Sequence, residues 1–121
     1  MNQMFIDNIE NITNNNNNYR EVISTTLNMQ LVVMSLLPQQ EIGTEIHPYV
    51  TQFIRIESGK GIAIINGYGY EIKEDTAIIV PPGTEHNIIN TSTREKLKLY
   101  SIYSPPNHPV DEIKVYKPDS D

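Results

Sequence analysis

The sequence predicts an all-β fold, a barrel or sandwich of short strands. Three observations carry this expectation. From Arg20 onward, short runs rich in Ile, Val, Tyr and Thr follow one another at regular spacing. Turn-forming residues separate those runs. The 121 residues, 38% of them hydrophobic, suffice for one packed core and are too few for two domains of ordinary size.

Taken in order, the chain opens with Phe5, Ile9 and Ile12 at helical spacing, which predicts a short amphipathic helix or arm lying on the body. Asn14 to Asn18 form a homopolymeric tract, read by composition as a flexible connection with no core-forming capacity. The expected organisation is therefore an N-terminal arm with its Asn-rich connection over 1–18 and a β-barrel domain over 19–121. Strands are expected over 20–26, 30–37, 52–57, 62–65, 70–73, 77–80, 86–90 and 97–103. The breaks between them include 38–40, 58–61, Glu74-Asp75 and Pro81-Pro82-Gly83, and Asn66-Gly67 is the dipeptide favoured by a tight hairpin.

The run from Leu31 to Leu37 is apolar on both faces, so its outward face calls for cover by another element or another subunit. A homodimer is the expectation. Strand alternation puts Phe53 and Arg55 opposite Gln52, Ile54 and Ile56, pointing away from the interior as interface candidates.

Charge narrows the partners. A net charge of −6, a pI near 4.9 and nine Lys and Arg scattered along the chain argue against nucleic acid or an anionic membrane, and for a small molecule. The absence of cysteine removes disulfides and thiolate ligands. The first ten residues lack a basic stretch followed by an apolar core, and no run approaches the ~20 apolar residues of a membrane span. A cytoplasmic location is expected.

Two segments carry the chemistry. In Gly43-Thr44-Glu45-Ile46-His47 the carboxylate and the imidazole stand two residues apart, so on an extended strand both project to one side. Pro48 and Tyr49 interrupt the alternation, which allows Gln52 to join them. In Pro81-Pro82-Gly83-Thr84-Glu85-His86 a turn delivers His86 to the start of the next strand. Taken singly, His47 reads equally as a surface histidine before a turn and His86 as a strand-entry histidine satisfied by backbone. Glu45 reads equally as a solvated carboxylate. For Gln52 the roles of metal ligand, hydrogen-bond support for the ligands and substrate contact all stay open, because an amide binds cations less strongly than a carboxylate does.

Together these residues resemble the two motifs of the cupin family. The second motif, Gly-x5-Pro-x-Gly-x2-His-x3-Asn, is matched by Pro81, Gly83, His86 and Asn90, with Asp75 in place of the first Gly. The first is matched by Gly43, His47 and Gly59, with Glu45 where the family usually has its first His and Gln52 where it usually has Glu. The chain looks most like the small single-domain cupins, often labelled mannose-6-phosphate isomerase-like or uncharacterised. That resemblance implies a double-stranded β-helix, or jelly-roll barrel, and a metal held by Glu45, His47, Gln52 and His86.

Two imidazoles and one carboxylate suit a divalent ion, with Fe, Mn, Ni, Co and Zn all compatible. The leading functional expectation is a metal-dependent enzyme acting on a small oxygenated metabolite, by sugar-type isomerisation or dioxygenase-like cleavage. Glu45 is the candidate catalytic group, with a metal-bound hydroxide or Tyr103 as alternative proton carriers and no dedicated base evident. Arg94 and Lys96 fall in a polar loop and Arg55 faces out, which leaves no fixed cationic anchor and counts against a sugar phosphate as substrate. Two other classes stay open. One is a non-catalytic carrier or sensor with Tyr68, Tyr70, Tyr100 or Tyr103 at its mouth. The other is a metal-free structural dimer in which the polar residues form a buried network. His108, between prolines at 105–109, reads as part of a rigid exit loop and is left out of the site.

Overall fold

The structure, a computed structural model, describes residues 2–119. One helix, α1 (Ile9–Asn15), precedes nine strands: β1 (Arg20–Thr25), β2 (Gln30–Leu36), β3 (Thr51–Ser58), β4 (Lys60–Ile65), β5 (Tyr68–Lys73), β6 (Ala77–Val80), β7 (His86–Asn90), β8 (Leu97–Ser104) and β9 (Ile113–Lys114). All pairings are antiparallel. They build a six-stranded sheet in the order β6-β3-β8-β2-β1-β9 and a three-stranded sheet in the order β5-β4-β7. The jelly-roll expectation holds.

Every expected strand from β1 to β8 is present, with shifted ends. β4 begins at Lys60 and β5 at Tyr68, each two residues before its expected start, because Gly59 alone separates β3 from β4 and the Asn66-Gly67 turn needs only two residues between β4 and β5. Both take the left-handed backbone that such a turn demands, with φ of 49° at Asn66 and 85° at Gly67. Strand β9 was not expected. Its two residues owe their extended form to pairing with Arg20 and Glu21 of β1, not to any pattern of their own.

The core lies between the sheets. Alternation along β3 buries Gln52, Ile54 and Ile56, and alternation along β2 sends Val32, Met34 and Leu36 into the same space. Cross-strand partners share a face, so Gln52, Tyr103, Gln30 and Thr25 form one inward row across β3, β8, β2 and β1. A second row, Ile54, Ser101, Val32 and Val22, lies directly beneath it. The interior is therefore polar near one end and apolar below. Gly59 closes the turn between β3 and β4, where φ is +95° and a Cβ would stand 2.6 Å from the Lys96 carbonyl oxygen. Only glycine meets both conditions.

The expected N-terminal arm and helix are present, with a later helix start than the spacing of Phe5 suggests. Phe5 lies outside the helix, which starts only at Ile9 because Asn8 caps it by accepting the Asn11 N–H at 2.9 Å. Residues before it run extended and are tied to β1 by Gln3, which takes the Ser24 hydroxyl at 3.0 Å and donates its own N–H to Thr25 at 2.8 Å. The helix packs on β2, β3 and β8, covering part of the outward sheet face. Nor is the Asn tract a featureless connection. Asn14 and Asn15 belong to α1, Asn16 is buried, and Asn17 and Asn18 bond Lys96, Lys98 and Glu21 through their side chains. Composition missed this because an amide side chain contributes no apolar surface yet offers both donors and acceptors to whatever packs on it. No helix among the described residues is long and apolar enough to cross a membrane.

Candidate metal centre

The segment that carries Glu45 and His47 runs beside β7 without forming a named strand. Two isolated bridges hold it there, Glu41 to Ile89 and Glu45 to His86. At the second, the Glu45 N–H donates to the His86 carbonyl at 2.8 Å and the His86 N–H returns to the Glu45 carbonyl at 3.0 Å. Each residue thus fixes the other's backbone. The Gly83 N–H donates to the His47 carbonyl at 2.9 Å, so the Pro-Pro-Gly turn also clamps the first segment to the second.

Side chains follow from this backbone. One ligand-capable atom from each of Glu45, His47 and His86 lies within 4.8 Å of the others. Glu45 Oε1 stands 3.6 Å from His47 Nε2 and 3.9 Å from His86 Nε2, and the two rings are 5.2 Å apart between centroids. His86 Nδ1 lies 2.9 Å from the Thr84 carbonyl. A carbonyl only accepts, so Nδ1 carries the proton and the Nε2 lone pair of the neutral ring is directed at its neighbours. Burial then sharpens the picture. His47 Nε2 and His86 Nε2 are both buried and neither has a hydrogen-bond partner. Two buried, unpartnered imidazole nitrogens facing one carboxylate are costly for a folded protein unless something coordinates them. The donor set fits a divalent ion such as Fe, Mn, Ni, Co or Zn.

Gln52 is buried beside this trio through a shared neighbour. Its Nε2 donates to Ser101 Oγ at 3.1 Å and Tyr103 Oη at 3.3 Å, while its Oε1 is buried without a partner. The Tyr103 ring in turn stands edge-on to His47, 6.0 Å away. Of the tyrosines considered for the mouth, only Tyr103 is buried at the site. Tyr68 shares a sheet face with His86 through Ile65 but is 72% exposed, and Tyr100 lies on the outward face against Phe53. Arg55 also points outward, bonding Asp75 at 2.8 Å. That carboxylate holds the guanidinium pKa above its ordinary value.

His108 is closer than its loop position suggested. Gln30 stitches the loop down, donating to the His108 carbonyl at 2.8 Å and accepting the His108 N–H at 2.9 Å. This sets the His108 ring 5.1 Å from Tyr103, with Nδ1 3.7 Å from Glu112. The only sequence signal for this contact was the inward alternation of Tyr103 and Gln30.

The cupin domain family matches residues 32–103, which hold all four predicted site residues. The chain is 46% identical over 123 residues to the uncharacterized protein L612 of Acanthamoeba polyphaga mimivirus, covering 98% of this chain and 76% of that protein. It is 43% identical over 122 residues to the uncharacterized protein YrkC of Bacillus subtilis, covering 96% of this chain and 65% of that protein. Both relatives are longer than this chain. A crystal structure of BH2720 from Bacillus halodurans superposes with a TM-score of 0.90 at 39% identity, over 93% of this chain and 89% of that one. The chain belongs to the cupin family. The narrower mannose-6-phosphate isomerase-like group receives no support from these relatives.

Proposed function

We propose that Glu45, His47 and His86 together hold one divalent metal ion, and that the protein is a metal-dependent enzyme acting on a small oxygenated metabolite. The observation that carries this reading is the pair of buried, unpartnered Nε2 atoms facing Glu45. A purely structural network would have satisfied them. When bound, such an ion polarises a carbonyl or hydroxyl oxygen of the substrate and favours its deprotonation.

The chain's own residues supply the rest. His86, its tautomer set by Thr84, presents one fixed lone pair, and His47 presents a second. Glu45 is the catalytic candidate: its side chain is 29% exposed, the most open of the three, so it can reach a substrate proton as well as the ion. Gln52 has its amide nitrogen committed to Ser101 and Tyr103, so its oxygen is the atom left to meet a ligand or substrate hydroxyl. Apolar side chains beneath the site, Ile54 and Ile88 among them, exclude water from below. Isomerisation and oxygen-dependent cleavage are the two reaction types this set serves, and the identity of the ion divides them. The outward face of β6, β3 and β8, with the 68% exposed Ile79, Phe53 and Tyr100, is the surface proposed for homodimer formation.

The test is elemental analysis of untagged protein expressed in defined metals, beside a His47→Ala/His86→Ala double variant. A near-stoichiometric metal that the variant lacks is the expected result. Iron would favour oxygen chemistry, whereas manganese or zinc would keep isomerisation open. Absence of metal from both proteins after reconstitution would overturn the reading, and saturable substrate binding without turnover over hours would replace it with a carrier role.

A further inference from the structure

Outside the barrel, three lysines gather where the Asn tract, the start of β8 and the C-terminal segment meet. Lys96 and Lys98 both donate to a single acceptor, Asn17 Oδ1, at 3.0 and 2.8 Å, so their ammonium groups are held side by side. Lys98 also donates to the Asn16 carbonyl, and Lys117 donates to the Glu41 carbonyl at 2.8 Å. Every one of these acceptors is neutral. Among the described residues none of the three lysines forms an ion pair with a carboxylate, and the Glu21 and Glu41 carboxylates nearby are engaged by Asn18 and Asn87. Burial, and after it the charge of Lys96, holds the Lys98 pKa below its ordinary value. Positive charge is therefore concentrated here without a direct carboxylate partner, in a protein whose net charge is −6.

A cavity of about 370 Å³ opens at this place, lined by Asn17, Tyr19, Ser35, Gln40, Lys96 and Lys117 with Tyr116 at its rim. Ser35 is 4% exposed, and its buried Oγ has no hydrogen-bond partner. A buried hydroxyl left unpaired in a cavity that two lysines also line is costly as it stands and favourable once an acceptor arrives. Gln40 has its Oε1 committed to the Leu37 N–H at 3.0 Å, which leaves Nε2 as the group it can offer. Donors thus outnumber acceptors, and they come from four separate stretches of chain: the Asn tract's neighbour β2, the turn after it, the residue before β8, and the C-terminal segment.

We infer that this cavity is a second binding site, distinct from the histidine centre, and that it takes the phosphate group of a small metabolite. A phosphate monoester carries close to two negative charges at neutral pH, matching Lys96 and Lys117, and its oxygens accept from Ser35 and Gln40 as well. Tyr19 and Tyr116 stand beside the charge, where a ring or sugar attached to the phosphate would lie.

The site is tested by calorimetric titration of the full-length protein with inorganic phosphate, in buffers balanced with sodium chloride to constant ionic strength. Saturable one-site binding is expected. A Lys96→Gln/Lys117→Gln double variant weakens it at least about tenfold and Ser35→Ala about fivefold, from the loss of charge-assisted and neutral hydrogen bonds respectively. Melting temperatures of the variants, compared with the parent, report that each is folded. A His47→Ala/His86→Ala variant keeps the parent's phosphate affinity, which separates this site from the metal centre. Three results would each overturn the inference: no saturable binding beyond the chloride-matched control, unchanged affinity in the lysine variant, or loss of binding in the histidine variant.

Discussion

The two halves of the histidine centre are built to different standards. His86 begins β7, pairs with Ile65 of β4 on one side and with Glu45 on the other, and has its ring nitrogen bound by Thr84; its side chain is 3% exposed. Glu45 and His47 sit on a segment held by isolated bridges, and their side chains are 29% and 14% exposed. Fewer backbone bonds and more solvent mean less restraint. One wall therefore supplies a fixed lone pair and the other a carboxylate free to adjust. A residue that both holds an ion and moves a proton needs that freedom, whereas a residue that only defines the site is better fixed.

The largest expected effect comes from the fixed wall. His86→Ala should abolish metal retention through dialysis, with affinity falling by at least about a thousandfold, read by elemental analysis and competition with a chromophoric chelator. Glu45→Gln should cost less in binding, about ten- to a hundredfold, while removing turnover altogether. If Glu45→Gln instead loses the ion as completely as His86→Ala does, the division of labour between the two walls is wrong.

The clamp between the halves comes next. Gly83 has a φ of +79°, and its N–H donates to the His47 carbonyl, so Gly83→Ala strains the turn that joins them. A loss of about 1–2 kcal/mol in urea denaturation is expected, with a weaker change in metal affinity. The smallest effect belongs to Ser101→Ala, which removes one of two acceptors for the Gln52 amide nitrogen. Its cost should be about 1 kcal/mol in stability, with metal content unchanged. A fall in metal content in that variant would place Gln52 among the ligands.

Much of this was legible before any coordinates. Strand alternation put Glu45 with His47, and put Gln52 with Ile54 and Ile56, because side chains of extended backbone alternate whatever the fold around them. The turn residues were equally local. Asn66 and Gly67 adopt positive φ, and so does Asp75, at 72°, where the family's motif has glycine. Less was legible at the N-terminus. Phe5 shares helical spacing with Ile9 and Ile12, yet the helix starts after it, since the Asn8 cap and not the apolar period decides where the first turn closes. Strand β9 and the bonds of the Asn tract arise from partners more than eighty residues away in several cases, and no local pattern announces such contacts.

The sequence by itself determined the class of fold and the positions of eight strands, and it marked Glu45, His47, Gln52 and His86 as candidates for the site. Those depend on backbone preferences and on alternation, which act over a few residues. Only the tertiary structure decided that Glu45 would bridge His86, that both imidazole Nε2 atoms would be buried without partners, and that Gln52 would be held by Ser101 and Tyr103. It decided also that Lys96 and Lys117 would line one cavity with an unpaired Ser35. Each of these rests on the register between strands distant in sequence, and register is fixed by the packing of the whole barrel.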